Sequence, residues 1–152
     1  MPIWLQIVST MITLLLAILT TIFIWRQVKL EKTKLKLEVY DRRLKIYNAI
    51  KFFIAETQTF GTTNNEKLVK LLQETRESLF LVKENNISEY IETLHNKGVD
   101  LEFVKTKLSQ SEFYIEDIER EKLARQAKEI MQWMSDQHNV VEEKFSKYLS
   151  IN

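Results

Sequence analysis

The chain has 152 residues, with 22 Lys and Arg against 21 Asp and Glu, two glycines, one proline and no cysteine. Without a thiol it offers no disulfide framework, no cysteine nucleophile and no thiolate metal site, and with so few breakers helix is the only secondary structure strongly suggested. The near balance of charge hides a segregation: Arg26 to Phe60 holds nine basic and four acidic residues, whereas Gly61 to Asn152 holds thirteen and seventeen.

The first element is Ile3 to Trp25, which carries no charge, no Gly and no Pro. At 1.5 Å per residue it reaches about 30 Å or slightly more, the hydrocarbon thickness of a bilayer. Trp4 and Trp25 stand at its ends, where indole rings favour the headgroup level. The pattern predicts one transmembrane helix. A cleaved signal peptide would want a basic residue before the run and an Ala-x-Ala-like exit after it. An interfacial helix would want a charged face, and so long an apolar core helix is unusual in a domain this small.

Only Met1 and Pro2 precede the run, whereas Arg26, Lys29, Lys32, Lys34 and Lys36 follow it against the single Glu31. The positive-inside rule then puts the N-terminus outside and the rest in the cytoplasm, as a single-pass protein with residues 1–25 as anchor and 26–152 as a cytoplasmic helical domain. These basic residues would also be drawn to anionic lipid, while a nucleic-acid partner is not indicated, because acids interrupt them and no aromatic platform accompanies them. Within the span, Ser9, Thr13, Ala17 and Thr21 recur every fourth residue with Gln6 close by. Such a stripe lets helices approach closely in lipid, and Gln6 could bond across a pair. Its plainer reading is that the hydroxyls bond back to their own helix.

No breaker follows until Gly61, so the helix is expected to leave the membrane unbroken. Leu30, Leu37, Leu44, Tyr47 and Ile54 mark one apolar stripe, and Leu35, Val39, Ile46, Ile50 and Phe53 a second beside it. Gly61 with Thr62, Thr63, Asn64 and Asn65 supplies a C-terminal glycine and the next cap. A second helix is expected over 66–83. Asn86 with Glu89 then suggests a capping box for a third helix, weakened at Gly98, and Ser109 to Glu112 a cap for the last, from about Phe113 to Leu149. The fold class is therefore all-α, a transmembrane helix continuing into an antiparallel bundle of about four helices. Since the first and last helices are the long ones, four are expected to pack far from the membrane and only two near it.

The segments Leu37-Glu-Val-Tyr-Asp-Arg-Arg-Leu-Lys-Ile-Tyr-Asn-Ala-Ile50, Glu77-Ser-Leu-Phe-Leu-Val82 with Ile87-Ser-Glu-Tyr-Ile-Glu-Thr-Leu94, and Trp133 through Phe145-Ser-Lys-Tyr-Leu149 resemble those of a large group of short, uncharacterised bacterial membrane proteins. That group pairs an N-terminal transmembrane helix with a helical cytoplasmic region, and the likeness covers nearly the whole chain. In those proteins the stretch at Leu79 to Val82 reads Phe-Leu-Phe before a Gly-containing turn, whereas here the turn is Lys83-Glu-Asn-Asn86. The resemblance implies this architecture and a bacterial inner membrane, and carries no activity or catalytic residue.

Chemistry is sparse. Glu92 and His95, three apart, could ligate iron in a carboxylate bundle, but such a site needs a second Glu-x-x-His, and His138 has Ser135 at the matching position. His138 with Glu142 reads as a polar pair, and Arg43 beside Asp41 and Arg42 as one half of a cross-bundle ion pair. No cofactor, metal or catalytic site is expected, and the protein is read as no enzyme. The function expected is a membrane-anchored interaction or scaffold protein that binds itself and, beyond that, an unidentified protein. The alternative is an effector that perturbs or permeabilises the bilayer through its span. Self-association is expected through Leu30 and Leu37 on the outgoing helix with Val141, Phe145 and Leu149 on the returning one, in line with the small-residue stripe of the span.

Overall fold

A computed structural model of the chain describes residues 3–81, 85–110 and 117–150. Its elements are α1 (Ile3–Phe60), α2 (Asn65–Thr75), α3 (Ser78–Leu81), α4 (Asn85–Gln110) and α5 (Asp117–Ser146), and among the described residues there is no strand. The chain is all-α, as its composition dictates, and it divides into two units, Met1–Val39 and Tyr40–Asn152.

The first unit is a stretch of α1 whose described side chains from Ile3 to Glu38 are all exposed. It includes a run long and apolar enough to cross a membrane, none of it covered by the protein itself. That removes the buried-core reading, because a core helix would have its apolar side chains enclosed.

The second unit is the bundle. Its core joins Ile46, Ile50, Phe53 and Ile54 of α1, Leu68 and Leu71 of α2, Leu94, Leu101 and Val104 of α4, and Ile130, Met134, Val141 and Phe145 of α5. These recur at three- and four-residue steps, so each helix turns one apolar stripe inward. The α1–α2 reversal uses the chemistry expected of it. Gly61 takes φ +64°, a left-handed conformation that costs glycine little, and the Asn64 side chain accepts from the Lys67 backbone N–H at 2.9 Å.

The expected helix over 66–83 is divided into α2 and α3. Buried Thr75, whose hydroxyl donates to the Leu71 carbonyl at 2.7 Å, is the last residue of α2, and α3 starts at Ser78. Asn86 lies inside α4 rather than capping it, while the suggested cap at 109–112 and the start at Phe113 fall partly or wholly outside the described residues.

The expected layout is corrected at one end of the bundle. Tyr47 packs at a tilt against Phe145, Lys51 pairs with Glu142, and Gln58 meets His138, so α1 and α5 run antiparallel. α5 ends at Ser146, and the Tyr148 carbonyl beyond it accepts from Arg43. At the corrected end α1 stops at Phe60, two residues past Gln58, while Asp117–Gln137 of α5 precedes His138 and packs on α4. The two-helix portion is thus the α4–α5 end of the bundle.

Candidate functional site

Two kinds of surface could carry function, the uncovered part of α1 and the polar groups of the bundle. On α1, Gln6, Ser9, Thr13, Ala17 and Thr21 are all exposed. Thr13 donates to the Ser9 carbonyl and Thr21 to the Ala17 carbonyl, each at 2.8 Å, and Thr10 donates to the Gln6 carbonyl at 2.6 Å. The plainer reading of the stripe is therefore the one the geometry displays: its threonine hydroxyls are satisfied within the helix. The stripe also fails to stay in line with Leu30 and Leu37. A four-residue ladder winds against a seven-residue one at about 100° per residue, so Thr21 and Phe23 lie roughly 160° apart around the axis.

Arg26, Lys29, Lys32, Lys34 and Lys36 are exposed along the first unit, with the Lys29 ammonium 5.8 Å from the centre of the Trp25 ring. Leu30 and Leu37 are 61% and 55% exposed. Their expected companions divide differently. Val141 and Phe145 are completely enclosed in the chain's own bundle, and Leu149 is half-buried against the same core, so neither Val141 nor Phe145 is available to a second copy. The correction follows from the layout: the returning helix spends its apolar face on α1 and α4.

Inside the bundle, Arg43 does not pair with a carboxylate among the described residues. Its Nε donates to the Leu81 carbonyl at 3.0 Å and its Nη1 to the Tyr148 carbonyl at 3.5 Å, with the guanidinium 5.7 Å from the Tyr148 ring. One cation thus caps the carbonyl ends of both α3 and α5, where helix dipoles are negative. Sequence alone could show an arginine on an apolar face, but not that two helices end beside it. His138 Nε2 lies 3.0 Å from Gln58 Oε1. Glu142 pairs instead with Lys51 at 2.6 Å, and this hydrogen bond holds the carboxyl below its ordinary range while raising Lys51 above its own.

Burial pushes the Tyr90 phenol well above its usual value, and its hydroxyl has no partner among the described residues. Glu92 is exposed and His95 half-buried, and no three His, Asp or Glu side chains converge among the described residues. Three exposed phenylalanines of the bundle, Phe52, Phe60 and Phe103, each lie under a lysine ammonium, Lys70 at 5.0 Å, Lys67 at 4.5 Å and Lys107 at 4.7 Å. The ammonium groups lie over the ring faces at cation–π distance, while the three side chains stay more than half exposed.

Comparison with protein-family models, with curated proteins and with solved structures finds no match.

Proposed function

We propose that the chain is a single-pass membrane protein of the bacterial inner membrane whose span and adjoining helix bring copies together, each carrying its bundle into the cytoplasm as an interaction domain. It is read as a scaffold and not as an enzyme. The observation that supports this best is the contrast between the two units. The bundle encloses its own core, whereas α1 leaves every described apolar side chain from Ile3 to Leu37 uncovered, including Leu30 and Leu37 beyond the uncharged run. Lipid accounts for the first part of that exposure and a partner for the second. The excess of Lys and Arg after Trp25 supports an external N-terminus.

Single cysteines at Met1 and Asn152 of this cysteine-free chain test the orientation: an impermeant maleimide should label the first and not the second in intact spheroplasts. The mass of the full chain in mild detergent tests association. A monomer at every protein-to-detergent ratio would refute self-association. The bilayer-perturbing alternative loses its motivation where the threonine hydroxyls bond to their own backbone, and liposomes carrying the protein should leak no faster than empty ones.

A further inference from the structure

The first unit presents a seven-residue repeat that passes from uncharged into charged sequence without losing phase. Leu16, Phe23, Leu30 and Leu37 are seven apart, and Ile12, Leu19, Arg26 and Thr33 fall between them at the three- and four-residue steps of a coiled-coil seam. The six large apolar members are 52–62% exposed. Thr33 gives its hydroxyl to the Lys29 carbonyl at 3.0 Å and so asks nothing of a partner.

Lipid can solvate Ile12 to Phe23, but Leu30 and Leu37 stand among lysines and glutamates. At roughly 60–120 Å² per buried side chain, eight such positions amount to on the order of 500–1,000 Å² per copy. That brackets the about 800 Å² per partner of a stable interface. A helix covering this line needs a matching repeat on both sides of the membrane boundary. A second copy, inserted the same way, has it in parallel and in register.

Arg26 is the one charged member of the line. In an in-register pair it faces Arg26 of the second copy, with Lys29 and Lys34 on the flanks and neither Glu31 nor Glu38 on that side. Two facing guanidinium groups repel, yet each is a planar fork suited to phosphate oxygens. Arg26 directly follows Trp25, whose ring is suited to the headgroup level and lies against Lys29. We propose that the paired α1 helices hold a net-anionic phospholipid headgroup between their two Arg26 side chains, so that self-association is coupled to anionic lipid. The site exists only if α1 pairs, and so it depends on the self-association proposed above.

The test is energy transfer between donor- and acceptor-labelled full-length chains, in vesicles of phosphatidylcholine alone and of phosphatidylcholine mixed with phosphatidylglycerol. Wild type should associate about five- to tenfold more tightly in the mixed vesicles. Arg26→Gln should associate equally well in both, while Lys32→Gln, which removes a charge off the line, should keep the lipid dependence. Equal wild-type association in both compositions would overturn the anion site and leave self-association standing. No transfer in either would overturn self-association itself. Loss of the lipid dependence in Lys32→Gln to the same degree as in Arg26→Gln would show bulk surface charge at work and overturn the site. Inorganic phosphate that strengthens association in phosphatidylcholine vesicles as much as phosphatidylglycerol does, at matched ionic strength, would overturn a lipid source.

Discussion

Gly98 offers the sharpest check on the packing of the bundle. It is buried in α4, and a Cβ built on it would lie 2.7 Å from Leu68 Cδ2 and 3.0 Å from Phe53 Cζ. Carbon atoms pack at about 3.5–4.0 Å, so both neighbours would have to give by roughly half an ångström or more. Neither has much room, being 2% and 3% exposed. Gly98→Ala gains about 0.8–1.0 kcal/mol of helix propensity. Overpacking costs about 1–3 kcal/mol. The net expectation is a loss between about zero and 2 kcal/mol, and Gly98→Leu should lose on the order of 3 kcal/mol or more.

The cause is separated from the sum by Leu68→Ala, which alone should cost about 2–5 kcal/mol. Combined with Gly98→Ala it should cost less than the two together, by about 1–2 kcal/mol, because the new methyl enters the space that Leu68 vacates. The assay is urea unfolding of the full chain in mild detergent by far-UV circular dichroism, with the micelle-embedded stretch as a constant background. Stabilisation of Gly98→Ala by the full propensity gain, with no coupling to Leu68, would show that α2 and α1 do not close over this glycine.

Arg43→Ala should destabilise the bundle by about 1.5–3 kcal/mol, the worth of hydrogen bonds from a charged donor, and Arg43→Lys should recover less than half, since an ammonium cannot reproduce the fork; the same urea titration reads both. Tyr90→Phe should be neutral or stabilising by about 1 kcal/mol, because it removes a buried hydroxyl without a partner and keeps the ring under the Lys144 ammonium, 5.5 Å away; a clear loss would show that the hydroxyl is bonded. Glu142 has its carboxyl held low by Lys51, so its contribution is present above the ordinary carboxylate pKa and lost as pH falls through the lowered value; Glu142→Gln should flatten thermal stability below about pH 4. Lys51, held high, contributes below its ordinary pKa and ceases to as pH rises through the raised one, so Lys51→Met should flatten the alkaline limb.

Much of the fold is legible in the residues. Gly61 and Asn64 announce the first turn, and the inward stripe of Ile46, Ile50 and Phe53 is written at helical spacing. Pairing between helices is a different matter. The sequence shows that α5 is long and apolar on one side, but not that its first half belongs to α4 while Val141 and Phe145 seal against α1, so a face meant for a second copy turned out to be core. The break between α2 and α3, after Thr75, has no counterpart in the period or composition of the residues around it. Arg43 reads as a charge seeking a charge, because the carbonyl ends that satisfy it come from residues 38 and 105 positions further along the chain. The line from Leu16 to Leu37 is legible from spacing alone, but only its exposure, with no described residue covering it, gives the spacing a meaning.

The claim that copies meet along that line is tested most directly by cysteine cross-linking in native membranes. Single cysteines replacing Leu30 and Leu37, on the line, and Val28 and Leu35, on the other side of the helix, would be treated with a short bis-maleimide and read as dimer on a denaturing gel. Dimer at Leu30 and Leu37 is expected well above that at Val28 and Leu35. Equal cross-linking at all four positions, or preference for Val28 and Leu35, would contradict it.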